Sequence, residues 1–161
     1  MKKQNTAATA TKLLKEDHKK VKDLFDQFED TDDSAEKREI ASTACSELTI
    51  HAQVEEEIFY PAVKAELDED DLMAEAKEEH HVAKQLIAEL EEGEGMDDIE
   101  FDAKFTVLAE NVRHHIKEEE GEMFPKVEKS DLDLEELGAQ MAERKQELQA
   151  EMGLKPASAA S

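Results

Sequence analysis

Apolar residues recur along this chain at alternating steps of four and three, the spacing that keeps one face of an α-helix buried. Leu14, His18, Val21, Phe25 and Phe28 follow it in a first segment, and Ala44, Leu48, His51, Glu55, Ile58 and Ala62 in a second. Ala76, His80, Ala83, Ile87 and Leu90 follow it in a third, and Phe101, Phe105, Leu108, Val112, His115 and Glu119 in a fourth. Acidic or glycine-containing breaks fall near Asp30 to Ser34, Leu67 to Asp71, Gly93 to Asp98, and Ser130 to Asp131. Ser34 and Asp97 are suited to N-caps, the latter with Glu100 as a capping box, and Gly93 and Gly95 suit a helix end. The pattern predicts an all-α chain of four long helices and a shorter fifth. That fifth helix, between Asp131 and Met152, is amphipathic through Leu134, Leu137, Met141 and Leu148, and lies across the others or against another subunit.

The two halves of the first four helices repeat. Glu16-Asp17-His18 with Leu24, Phe25 and Phe28 recurs 62 residues later as Glu78-Glu79-His80 with Leu86, Ile87 and Leu90. His51, Glu55, Glu56, Phe59, Tyr60, Pro61 and Val63 recur 64 residues later as His115, Glu119, Glu120, Met123, Phe124, Pro125 and Val127. Two helical hairpins related by a pseudo-twofold axis make a four-helix bundle, with the change of offset taken up between helices. The expected organisation is a flexible N-terminus over 1–10, the bundle over 11–129, a C-terminal amphipathic helix over 130–153, and a flexible tail over 154–161.

Composition narrows the function classes. A chain of 161 residues is one domain's worth of sequence, and 20 basic against 43 acidic side chains give a formal charge of −23. Such a surface repels phosphate backbones and anionic lipids, so neither nucleic acid nor membrane is an expected partner. Cys45 stands alone, which excludes an internal disulfide and a CxxC motif and marks it as a small core residue. Two N-terminal lysines lead into no apolar run, and no stretch is long and apolar enough to span a bilayer. A soluble, cytoplasmic protein is expected, its oligomeric state left open.

The polar residues on the buried stripes carry the chemistry. His18, His51, Glu55, His80, His115 and Glu119 all fall at core positions, in the order H, HxxxE, H, HxxxE. Of the two histidine doublets, His81 shares its stripe with Lys77 and Lys84, and His114 with Asn111, Glu118 and Gly121, so both are assigned to the surface. A single core imidazole is satisfied by one hydrogen bond, but two buried carboxylates beside four buried imidazoles need a common charge partner, because an isolated buried carboxylate costs several kcal/mol. A metal ion supplies it. Nitrogen and oxygen donors without thiolate suit iron, manganese or zinc. Two carboxylates able to bridge, with two imidazoles for each of two ions, leave coordination positions for solvent or a small molecule. Asp17 and Glu79, each next to a candidate histidine, and Glu56, next to Glu55, are read as solvated helix surface, with the orientation of imidazoles as the alternative. Tyr60 is read as packing ahead of a helix-ending proline, with gating or proton donation as the alternative.

From Ala10 to Glu128 these residues resemble the hemerythrin-like, HHE cation-binding domains. The resemblance includes the runs Glu55-Glu56-Glu57 before Phe59-Tyr60-Pro61 and Glu118-Glu119-Glu120 before Phe124-Pro125. It implies an up-down-up-down bundle around a non-heme, carboxylate-bridged di-iron centre, with His18, His51, His80 and His115 as terminal ligands and Glu55 and Glu119 as bridges. Oxygen-carrying hemerythrins have a fifth histidine where this chain has Ala76, and a carboxylate ligand at the position of Glu120. The stripe and the pseudo-symmetry favour Glu119, and the absent fifth histidine leaves a coordination position open. The expected function is reaction with, or sensing of, a small oxidant (O2, H2O2 or NO) in stress response or iron handling. The alternative is a sensor, storage or interaction module without turnover.

Overall fold

The computed structural model describes residues 9–153, so residues 1–8 of the N-terminal segment expected to be flexible over 1–10, and the expected tail 154–161, lie outside the described residues, while Thr9 caps the first helix and Ala10 is buried. Helices α1 (Ala10–Asp30) and α2 (Ser34–Val54) form the first hairpin. A wide π-helical turn, Glu55–Phe59, carries α2 without a break into α3 (Tyr60–Glu66). Helices α4 (Asp70–Glu91) and α5 (Asp98–Glu118) form the second hairpin, which runs through a matching π turn, Glu119–Met123, into α6 (Phe124–Glu128). Helix α7 (Leu134–Glu151) packs across α1, α2 and the first π turn. The architecture is an up-down-up-down four-helix bundle with one added helix. Among the described helices none is long and apolar enough to cross a membrane.

Aspartate side chains start three of these helices, and of these Asp97 is the cap that the sequence suggests. The Asp97 carboxylate accepts from the Glu100 amide at the start of α5, and Asp133 accepts from the Glu136 amide at the start of α7. At α2 the cap is Asp33 rather than Ser34, because its carboxylate reaches both the Ala35 and Glu36 amides. The three-residue break after α1 and the longer one between α4 and α5 account for the change of repeat offset.

The π turns correct two expectations. Proline lacks an N–H, and in a regular helix its ring collides with the carbonyl four residues back. Here Pro61 and Pro125 each sit in the first turn of a new helical stretch, immediately after a π turn closed by the Tyr60 amide on the Glu55 carbonyl or the Phe124 amide on the Glu119 carbonyl. The wider turn accommodates the ring, so these prolines continue the rods rather than end them. The extra residue also rotates the helical stretch beyond it, so Phe59 and Val63 are buried where the stripe pointed to Ile58 and Ala62, which are half-buried.

Two apolar clusters fill the bundle. One gathers Val21, Phe25, Phe28, Leu48, Ile87, Phe105 and Leu108, and the other Leu14, Val54, Phe59, Val63, Phe124 and Met141. Each fully buried large side chain contributes roughly 1.5–3 kcal/mol of transfer free energy. Every main helix passes from one cluster to the other, and at the crossing level it carries a histidine. The buried histidines and glutamates therefore form one layer between two apolar plugs.

Candidate metal centre

The structure brings together all six residues singled out by the stripe. His18, His51, Glu55, His80, His115 and Glu119 are each at most 9 % exposed, Glu55 and Glu119 being sealed at 0 % and 1 %. The imidazoles pair within hairpins, His18 with His51 at a ring separation of 4.9 Å and His80 with His115 at 5.0 Å. Each glutamate spans the two pairs. Glu55 lies 3.3 Å from His51 Nε2 through Oε2 and 3.1 Å from His80 Nε2 through Oε1. Glu119 lies 3.0 Å from His18 Nε2 through Oε1 and 3.3 Å from His115 Nε2 through Oε2. The donor atoms form two groups, one from His18, His51, Glu55 and Glu119 and one from Glu55, His80 and His115, each within 4.8 Å across.

Four outer carboxylates fix the rings. His51 Nδ1 donates to Asp17 at 2.9 Å and His115 Nδ1 to Glu79 at 2.6 Å, while His80 Nδ1 donates to Glu56 and His18 Nδ1 to Glu120, both at 2.7 Å. An ionised carboxylate only accepts, so each Nδ1 carries the proton and each Nε2 is turned inward as a lone pair. Asp17, Glu56 and Glu79 are therefore imidazole partners rather than idle surface. Glu120 belongs to the same set: it grips His18 from outside, while Glu119 faces the interior. Adjacency in sequence hides this pairing, because Asp17 and Glu79 each serve the histidine of the neighbouring helix and not the one beside them.

Lone pairs of Nε2 and carboxylate oxygens facing one another at about 3 Å need something positive between them. Among the described residues, His18 Nε2, His51 Nε2, Glu55 Oε2 and Glu119 Oε1 are buried without a hydrogen bond of sound geometry. Without a cation, protons serve instead. Burial opposes a charge on His51, but the Glu55 charge and the bonds to Asp17 and Glu55 outweigh it, so its pKa is raised well above the usual imidazole range. His115 behaves likewise: burial lowers it, the hydrogen bond and charge of Glu119 prevail, and its pKa rises to about 10. Burial would raise Glu119, yet the His115 bond and charge hold it well below the carboxylate range. Asp17 is held at about 2 by His51 and Lys145 against the effect of burial, and Glu56 at about 2, chiefly by its bond to His80.

Tyr60 does more than pack. Its one O–H is shared between Glu119 Oε2 and Glu55 Oε1, the latter at 3.1 Å, and its oxygen lies 3.3 Å from His80 Nε2 and 3.2 Å from His115 Nε2. Burial, and then the charges of Glu119 and Glu55, push its pKa well above the ordinary phenol value. Its repeat partner, Phe124, stacks on His18 instead, with ring planes 4° apart. At this position the two halves thus differ by one atom, an oxygen directed at the His80–His115 side. Helix α7 adds a second asymmetry, since Lys145 donates to Asp17 at 2.6 Å. His81 and His114 are exposed, as the stripe indicated, and His114 Nε2 lies 3.4 Å from Glu118. Cys45 is buried, and burial together with Glu91 raises its thiol to about 12.

The chain is similar to known proteins over most of its length. The hemerythrin HHE cation binding domain family matches residues 9–127. A hemerythrin HHE cation binding domain-containing protein of Mycobacterium kansasii, whose crystal structure is known, shares 27 % identity at a TM-score of 0.75, with 89 % of each chain covered. A DNA nickase of Nostoc sp. is 30 % identical over 112 residues, covering 70 % of this chain but 31 % of that protein. A metal-binding role follows from the family and from donor groups able to hold a cation. With the bundle, the repeated HxxxE elements and the match over 9–127 in agreement, this chain belongs to the hemerythrin HHE cation-binding domain family.

Proposed function

We propose that the protein holds two iron ions and reacts with, or senses, a small oxidant (O2, H2O2 or NO) in stress response or iron handling. The observation that carries this reading is the ring of inward Nε2 lone pairs and carboxylate oxygens, buried and facing one another, with every imidazole fixed from outside by a carboxylate. His18 and His51 would hold one ion and His80 and His115 the other, with Glu55 and Glu119 shared between them. Manganese or zinc suit the same donors. Two irons held there would supply Lewis acidity and a one-electron change at each metal.

The chain's own groups do the rest. Asp17, Glu56, Glu79 and Glu120 hold each ring in one tautomer and make its inner nitrogen a better donor. The apolar clusters above and below the layer limit water, which strengthens every electrostatic interaction within it. Tyr60 keeps an O–H directed at Glu119 Oε2, where it can share a proton with the carboxylate. The nicking activity of the cyanobacterial relative is not carried over, because the match covers 31 % of that protein and a charge of −23 opposes approach to a phosphate backbone.

The test is to mix iron-loaded protein with hydrogen peroxide, oxygen and nitric oxide in turn, tracking absorbance and ligand consumption. Reaction or adduct formation with at least one is expected, and inertness to all three sinks the reading. A second reading, sensing or storage without turnover, is favoured by the link from Lys145 through Asp17 to His51, which ties α7 to the site. It expects hydrogen exchange in α7 to differ between metal-free, ferrous and ferric forms, and identical exchange would remove it.

A further inference from the structure

A cavity of about 490 Å3 opens between α2 and α4 and reaches all four histidines. Its walls are mostly apolar, with Leu48, Ala52, Ala83, Ile87 and Val112 among them. One water takes roughly 30 Å3 in the liquid, so O2 or H2O2 would leave most of this space unused. The volume falls in the range of pockets that bury organic ligands, ~300–1,000 Å3.

The internal repeat shows how the opening arises. The pseudo-twofold relates the α2–α4 seam to the seam between α5 and α1, and the offsets of 64 and 62 pair Ala52 with Ile116 and Ala83 with Val21. In the α5–α1 seam, Ile116 and Val21 are 4 % and 3 % exposed. In the α2–α4 seam, Ala52 and Ala83 stand at the same level and are only half-buried, although Ala83 lies on the stripe that the sequence assigns to the core. The fold demonstrates with its own second copy that larger side chains fit at this level. Two alanines keep one side open, beside the inward nitrogens.

We propose that this cavity binds a neutral, largely apolar organic molecule with one oxygen-bearing end, the class of alkyl and aryl hydroperoxides, its oxygen end toward the histidines and its hydrocarbon body between α2 and α4. The proposal rests on the peroxide-reactive reading and names the substrate class for the same site. Neutrality follows from the rim, where Glu56, Glu57 and Glu91 line the opening and the cations beside them are taken up, Lys84 by Glu56 at 2.6 Å and Arg144 by Glu57 at 2.7 Å. An organic anion would meet those carboxylates and the charge of the whole chain, −23.

The experiment titrates cumyl alcohol, an unreactive analogue of cumene hydroperoxide, and 4-isopropylbenzoate, an anion of similar size, into metal-free and iron-loaded full-length protein by calorimetry. Saturable one-to-one binding of the alcohol is expected, with the anion about tenfold weaker or worse. The double variant Ala52→Ile with Ala83→Val closes the seam with the residues of its partner, and Ala83→Phe closes it independently. Both are expected to weaken the alcohol by about tenfold or more while keeping helical content and iron stoichiometry. Absence of saturable binding to the wild type, undiminished binding by correctly folded variants, or equal binding of the anion overturns the proposal. The metal-free titration separates the two readings: if the chain takes up no iron yet binds the alcohol, the oxidant reading falls alone. If iron-loaded protein reacts with H2O2 while the alcohol does not bind, the cavity assignment falls alone.

Discussion

Replacing Asp17 by alanine removes a carboxylate that joins His51 Nδ1 at 2.9 Å to Lys145 Nζ at 2.6 Å. Its pKa lies at about 2 against an ordinary 3.8, so the folded protein favours the ionised form by about 2 kcal/mol, at about 1.4 kcal/mol per pH unit. That agrees with roughly 1.5–3 kcal/mol for a buried hydrogen bond to a charged group. The sign is that of a lowered carboxylate: the stabilisation is present above 3.8 and lost as pH falls through about 2. At neutral pH Asp17→Ala should therefore unfold about 4–8 °C earlier, at ~2–4 °C per kcal/mol for a domain of this size. With His51 no longer held, iron affinity should fall ~10–100-fold. Thermal unfolding monitored at 222 nm and a chelator-competition titration measure the two effects. Lys145→Met is the control, since it leaves the His51–Asp17 bond in place and should retain most of the affinity. An Asp17→Ala protein with wild-type melting and iron affinity within twofold of wild type would refute the idea that the outer carboxylates build the site.

His51→Ala or His115→Ala should abolish stoichiometric metal binding, whereas His81→Ala and His114→Ala should leave it nearly intact; equal loss from both sets in elemental analysis would contradict the assignment of inward and outward rings. Metal uptake should release protons, because His115 near 10 and the raised His51 are protonated at neutral pH in the metal-free protein. Affinity should rise about tenfold or more per pH unit between pH 6 and 8. For the metal-free fold the sign reverses: stabilisation from His115 is fully present below 6.5 and is lost as pH rises through about 10, so its melting temperature should fall over that interval. Tyr60→Phe removes the oxygen directed at Glu55 and Glu119, and should alter the optical spectrum and oxidant reactivity of the iron-loaded protein while leaving iron stoichiometry at the wild-type value.

The parts of the site legible in the sequence are those that obey helical phase. His80 rather than His81, and His115 rather than His114, emerge from which neighbour shares a stripe with Ala76 and Ile87 or with Leu108 and Val112. The parts that escape depend on contacts between helices. Asp17 reaches His51 across the hairpin, and Glu120 reaches His18 from the far end of the chain. One signal is present: Asp17 and Glu79, and Glu56 and Glu120, sit at matched positions in the two repeats, so an unusual role for one implies the same for its partner. The π turns escape because nothing in a stripe of fours and threes announces an added residue, although a proline in mid-rod is a hint that the backbone must widen just before it. Tyr60 escapes for the same reason: once Pro61 is taken as a continuation, the residue before it turns inward.

Metal stoichiometry tests most directly whether two irons sit in this layer. Freshly purified protein, reconstituted with ferrous iron and freed of excess, should contain about two irons per chain and, once oxidised, show near-ultraviolet charge-transfer absorption that His51→Ala removes. One iron per chain, none, or uptake unchanged by His51→Ala would contradict a di-iron centre built from these six residues.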